Sequence, residues 1–199
     1  MNNTECILQD FTLIDLIDMF DKGEINLPLL QRDYVWKPNQ IVFLFDSLFK
    51  GWPVGSFYLW DSDVSQKTKI ISNRSNSYYL LDGQQRLTSL SHGIKDESAN
   101  SPDCRVFFDI RNETFVTGEK NSTIQRRIEH NDPGCVPMSD LISLSRKHSS
   151  SNDSQLLEVI DNKVKVLIAE GIIDKEKKYD INSKLCKIAD MLVKKVPCE

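Results

Sequence analysis

Histidine is scarce in this sequence and cysteine is never clustered. The three histidines (His92, His130, His148) and five cysteines (Cys6, Cys104, Cys135, Cys186, Cys198) fall on unrelated segments of 199 residues. No C-x-x-C and no Cys/His pair at metal-ligand spacing occurs, which argues against a zinc site and against a Cys/His nucleophile system. An odd, scattered set of thiols reads as reduced side chains of a cytoplasmic protein, not as a disulfide framework. No apolar run approaches the roughly 18 residues a membrane helix needs, and MNNTECILQD lacks the regions of a signal peptide, so no membrane partner is expected. A basic excess is also missing. The net charge is −4, so any nucleic-acid contact must come from a local patch. Neither G-x-x-x-x-G-K-[ST] nor G-x-G-x-x-G is present, and there is no internal repeat.

What remains is an ordinary globular composition, 40% hydrophobic and 27% charged, enough for one sizeable core. Leu13, Ile14, Leu16, Ile17 and Phe20 recur at helical spacing behind Thr12, which forms a capping-box pattern with Asp15; Gly23 ends that helix. An extended stretch from Ile25 to Leu30 runs into QRDYVW. Lys37-Pro38 then opens a second helix, with Ile41, Leu44, Phe45 and Leu48 on its buried face and Gly51 as its stop. PVGSFYLW at 53–60 reads as a strand, 61–77 as a polar loop, and YYLL at 78–81 as a short strand ending at Asp82-Gly83. From Gln85 onward Leu87, Leu90 and Ile94 mark a helix.

Residues 105–110 and 113–116 flank Arg111-Asn112 as a hairpin. Beyond residue 120 the texture changes to helices over 121–130, 139–148, 153–170 and 180–195, separated by NDPG and SSSN joints. The expectation is an α+β chain: a mixed α/β part over residues 1–118, built as a small sheet with helices, and an all-helical part over 119–199.

Chemistry concentrates at YLLDGQQRLTSL, residues 79–90. Gly83 lets the backbone approach a ligand, and the first amides of the following helix offer donors and positive dipole character to an anion. Arg86 can clamp phosphate, Asp82 can hold a cation or orient a water, and Gln84 and Gln85 can position a ligand without transferring protons. The same residues also suit a plain turn with a capped helix and a surface ion pair. A second cluster, Gln31, Arg32, Tyr34 and Trp36, can bind phosphate and stack a base. Alternatively, Tyr34 and Trp36 pack onto the helix at 38–50.

The order LPLLQRDYVWKPNQIVFLFDSLFKGWPVGSFYLW, a polar loop, then YYLLDGQQRLTSL closely resembles the N-terminal domain of GmrSD-type modification-dependent restriction proteins, whose hallmark is D-G-Q-Q-R. The ParB and sulfiredoxin superfamily is similar at greater distance. Its three ordered elements correspond here to Gln31-Arg32, Ser47-Leu48-Phe49-Lys50-Gly51 and Gly83-Gln84-Gln85-Arg86. The turn has no cysteine, which sets sulfiredoxin chemistry aside.

The resemblance implies a ParB-like nucleoside-triphosphate site, with GTP, ATP or CTP undecided and Mg²⁺ as companion. Hydrolysis would be coupled to action on DNA in phage defence. Carried over by residue, Asp82, Gln84, Gln85 and Arg86 are the catalytic candidates, and Gln31, Arg32, Gly83 and Arg86 the nucleotide-binding ones. Asp82 is the metal candidate, and Tyr34 with Trp36 would contact DNA, including modified DNA. A non-catalytic nucleotide- or DNA-binding switch is the alternative. No His-Asn-His nuclease layout is present, so the resemblance implies such a nuclease further along a longer chain or on a separate subunit. Association into a homo-oligomer is left open.

Overall fold

The computed structural model describes residues 9–61, 78–94, 104–119, 122–148, 153–193 and 195–198. The polar loop expected at 61–77 lies, beyond Asp61, outside the described residues, as does the SSSN joint. Strand β1 (Gln9–Thr12) leads directly into α1 (Leu13–Asp21). There the expected capping box forms: Thr12 Oγ1 accepts from the Asp15 amide at 3.1 Å, and the Asp15 carboxylate accepts from the Thr12 amide at 3.1 Å. Leu13, Ile14, Leu16 and Ile17 are buried. After β2 (Ile25–Asn26) an irregular stretch reaches α2 (Pro38–Lys50), which starts at the proline as expected. It stops at Gly51, where a left-handed φ of 74° suits glycine.

β3 (Tyr58–Asp61) and β4 (Tyr78–Asp82) follow, then α3 (Gln84–Ile94). The strand expected over 53–60 thus forms only in its second half, because Gly55, at a φ of 84°, cannot continue an extended run. β4 is central in a three-stranded sheet, parallel to β2 and antiparallel to β3. A second sheet places β5 (Val106–Asp109) between β6 (Thr114–Thr117) and β7 (Cys135–Pro137). The ring of Phe108 meets that of Phe115 at 5.3 Å, and α2 lays Phe45 and Phe49 on Phe115.

The chain is therefore mixed α/β, as expected. After residue 118 it runs through α4 (Thr123–Glu129), α5 (Met138–His148), α6 (Asp153–Ala169) and α7 (Lys178–Val193). Two short strands join these helices. β7 lies on β5, and β8 (Lys195–Cys198) pairs antiparallel with β1, setting Phe11 opposite Val196. α7 packs on α5 and α6 and also touches α1 and α2. One apolar core runs from Leu13 through Phe45, Leu87 and Phe108 to Leu185 and Cys198. Each fully buried large side chain contributes roughly 1.5–3 kcal/mol, and this shared core fixes α3 and β4 beneath the site.

Candidate nucleotide site

β2 pairs with β4 over only two residues, Ile25 with Tyr78 and Asn26 with Tyr79. Past Asn26 the chain turns away through Pro28, which has no amide proton to continue the ladder. Gln31 takes over from the missing strand: its Nε2 donates to the Leu80 carbonyl and, at 3.2 Å, to the Leu81 carbonyl. Its Oε1 is buried without a hydrogen-bond partner. The Gln31–Trp36 cluster is thereby fastened to the strand that ends in Asp82-Gly83.

The two glutamines of the turn complete the fastening. Gln85, buried, accepts the Val35 amide proton at Oε1 (3.0 Å) and donates from Nε2 to the Asp33 carbonyl (3.1 Å). Gln84 donates from Nε2 to the Arg32 carbonyl at 3.0 Å. Three backbone positions of QRDYVW, at Arg32, Asp33 and Val35, are thus held by side chains from the first turn of α3. Gly83 opens that helix, its carbonyl accepting the Leu87 amide at 2.9 Å. Gly83 sits at a φ of 100°, and a Cβ there would stand 2.7 Å from Phe57 Cδ1, so both conformation and space demand glycine.

Arg86 is 15% exposed. Its Nη1 donates to the Val54 carbonyl at 2.7 Å, its Nη2 pairs with Asp82 at 3.2 Å, and the guanidinium lies 5.0 Å from the centre of the Phe57 ring. A guanidinium has five N–H donors, so this anchoring leaves capacity for a ligand. Asp82 is 70% exposed. Together Gln31, Arg32, Trp36, Leu81, Asp82, Gly83, Gln84, Gln85 and Arg86 line a cleft of about 400 Å³. Of the residues expected to bind nucleotide, metal or DNA, all except Tyr34 belong to this lining; Leu48, Phe49, Lys50 and Gly51, from the middle one of the three ordered elements, lie outside it.

Tyr34 turns inward. Its hydroxyl shares a 3.0 Å hydrogen bond with Ser89 Oγ, and its ring meets His92 edge-on at 5.3 Å. Burial pushes the phenol above its usual pKa, an effect that the Ser89 hydrogen bond offsets only in part. Trp36 lines the cleft and also packs against the core.

Among the described residues no group of three or more His, Cys, Asp or Glu side chains could hold a metal by itself, and no helix is long and apolar enough to cross a membrane. One carboxylate still suits magnesium beside phosphates, since that ion is commonly held by one or two carboxylates plus substrate oxygens. Asp82 meets that requirement.

A charged cluster outside the cleft was not singled out from sequence. Asp109, 0% exposed, accepts both Nη atoms of Arg127 at 2.8 and 2.9 Å, and Asn112 Nδ2 at 2.6 Å. Arg127 also donates from Nε to Asp132 at 2.7 Å, and Arg111 reaches the same Asp132 oxygen at 2.7 Å. Burial would raise the Asp109 pKa, but hydrogen bonds from Arg127 and Asn112 outweigh it and hold the carboxyl below its ordinary value. At Asp132 the same opposition, with Arg111 and Arg127 prevailing over burial, lowers the pKa to about 2. The readable signal was an aspartate closing the otherwise apolar run VFFD.

Residues 13–196 match the family model described as the GmrSD restriction endonuclease, N-terminal domain. The chain belongs to that family. A GmrSD N-terminal domain associates it with restriction systems and phage defence. The chain is also 32% identical over 95 residues to an uncharacterized protein of Methanocaldococcus jannaschii, a match covering 41% of this chain and 16% of that protein. The chain therefore spans well under two thirds of that relative's length.

Proposed function

We propose that this GmrSD N-terminal domain binds a nucleoside triphosphate in the cleft at Gly83 and hydrolyses it as the sensing step of a modification-dependent DNA restriction protein. The observation that carries the reading is the convergence of Arg32, Arg86 and the first turn of α3 on one 400 Å³ cleft. The opening amides of a helix lack intrahelical acceptors and favour an anion. Arg32, exposed, and the remaining donors of Arg86 would meet phosphate oxygens. The buried Gln31 Oε1 would accept from a ligand donor, and Trp36 supplies an aromatic wall.

Phosphoryl transfer asks the protein mainly for positioning and charge stabilisation. Gln85 serves positioning by holding the backbone on which Arg32 and Trp36 are mounted. Asp82 would hold Mg²⁺, which supplies charge neutralisation on the phosphates when bound. The partners in this reading are DNA, including modified DNA, and a nuclease part of His-Asn-His type.

A second reading, a switch that binds triphosphate without turnover, is favoured by one feature. Among the described residues Asp82 is the single carboxylate in the lining, and it is already paired with Arg86. Thermal shift with ATP, GTP and CTP in Mg²⁺, followed by phosphate release, separates the two. Stabilisation with turnover, both lost in Arg32→Ala and Arg86→Ala, supports hydrolysis; stabilisation alone supports the switch. No stabilisation by any of the three sinks both.

A further inference from the structure

Beside the cleft, the outer face of the β3–β4 pair carries large apolar side chains that no described element covers. Trp60 stands opposite Tyr79 in the antiparallel register, their ring centroids 5.9 Å apart at an interplanar angle of 35°. Side chains alternate along a strand, so Leu81 follows Tyr79 on this face. Leu80, between them, is buried in the core, and Leu59 packs against it. Trp60 is 46% exposed, and Tyr58, Tyr79 and Leu81 are exposed with it. The result is a shelf of rings leading to Leu81, which itself lines the cleft. At that end the turn from Pro28 to Gln31 presents Leu29 and Leu30 fully exposed, and the Gln31 side chain fastens this turn to the Leu81 carbonyl.

An exposed apolar face of this kind marks an interaction surface. Its chemistry selects the partner. Aromatic rings laid open on a sheet, with cationic groups at one edge, stack nucleobases while the cations follow the backbone. Among the described residues the adjoining cleft holds two arginines against one aspartate, in a chain whose net charge is −4; Asp82 is paired with Arg86. A polyanion is drawn to this edge of an otherwise acidic molecule.

We propose that the Trp60–Tyr79–Leu81 face is a stacking platform for the unpaired bases of a DNA strand whose backbone passes the Arg32 side of the cleft. Leu29 and Leu30, fully exposed beside the cleft, are of the aliphatic kind that wedges between bases. The platform moves base contact from Tyr34, which is turned inward, to side chains that solvent reaches. It does not depend on the cleft taking a triphosphate.

The test uses the 199-residue chain and a labelled oligothymidylate of about 16 nucleotides, read by anisotropy and by tryptophan quenching at low salt. The wild type binds and its tryptophan emission is quenched. Trp60→Ala combined with Tyr79→Ala weakens binding at least about fivefold, since each stacked base contributes about 1–3 kcal/mol; Trp60→Phe retains most of it. Both side chains are on the surface, so the melting temperature and any triphosphate-induced shift stay at wild-type values. Trp60→Ala alone carries the same comparison should the double variant melt lower. Absence of oligothymidylate binding by the wild type, or equal binding by the alanine variants, overturns the proposal whatever the triphosphate result. So does loss of a dimer in sedimentation without loss of DNA binding, which assigns the face to a second copy of the chain.

Discussion

The amide of Gln85 holds the backbone at Val35 as a neighbouring strand would, Oε1 taking the Val35 proton at 3.0 Å while Nε2 reaches the Asp33 carbonyl at 3.1 Å. Glutamine is the residue for this task because its one terminus both donates and accepts. Gln85→Ala removes both bonds and is expected to lower unfolding free energy by about 1–3 kcal/mol. Gln85→Glu keeps the length but puts a second acceptor against the Asp33 carbonyl, so at neutral pH it is expected to cost at least as much as alanine. Urea denaturation of the two variants, with hydrogen exchange at the Val35 amide, measures this. A Gln85→Glu protein as stable as wild type would mean the staple does not hold.

Gly83→Ala tests the turn itself. The left-handed φ of 100° and the 2.7 Å approach to Phe57 act together, and strained backbone alone costs about 1–3 kcal/mol. A thermal melt should show a clear drop, and a larger one than for Gly23→Ala, where φ is also positive but no atom lies within 4 Å of the added Cβ. Equal losses at the two glycines would show that the Phe57 contact contributes nothing.

Local signals carried far in the sequence. Thr12 with Asp15, Pro38 at the start of α2 and Gly51 at its end each act within one helical turn, so the sequence order displays them directly. The site was legible by composition because the charged and amidic residues of 31–36 and 82–86 interrupt two apolar patterns. The use of those residues was not legible. Gln31 repairs a sheet edge abandoned at Asn26, and Gln84 and Gln85 reach back about fifty positions, relations that exist only after β4 lies beside β2. Tyr34 likewise turned out to be held by Ser89 across 55 positions. β8 escaped notice because it is four residues long and contains Pro197, which argues against a strand, and its pairing comes from β1 at the far end of the chain.

The shared core predicts that residues 1–118 do not fold without the rest. Removing 119–199 takes β7 from the edge of β5, β8 from β1, and the α7 face from α1 and α2. The loss removes Leu185, Ile188 and Val196 from the core they share with Leu13, Leu16 and Phe108, and each large buried side chain is worth roughly 1.5–3 kcal/mol against a total stability of about 5–15 kcal/mol for a domain. The fragment is expected to show no cooperative thermal transition by circular dichroism, whereas the 199-residue chain shows one. A cooperative melt from the fragment would refute a common core.

Acid should weaken the fold through Asp109 and Asp132. Both carboxyls titrate below their ordinary value of 3.8 when folded, Asp132 at about 2. A depressed folded pKa gives stability that is present above the unfolded value and lost as pH falls through the folded one. The urea midpoint should therefore hold steady down to about pH 5 and fall between about pH 4 and pH 2, with a shallower fall in Asp132→Asn. Arg127→Met leaves Asp109 buried without its bidentate partner, which typically costs about 3–5 kcal/mol at neutral pH. In that variant the Asp109 carboxyl loses the donors that held it charged, so its pKa rises toward or above the ordinary range. The deficit relative to wild type should then shrink as acid protonates Asp109. A deficit that stays constant from neutral pH to pH 2 would assign the loss to packing of the arginine stem instead of to its charge.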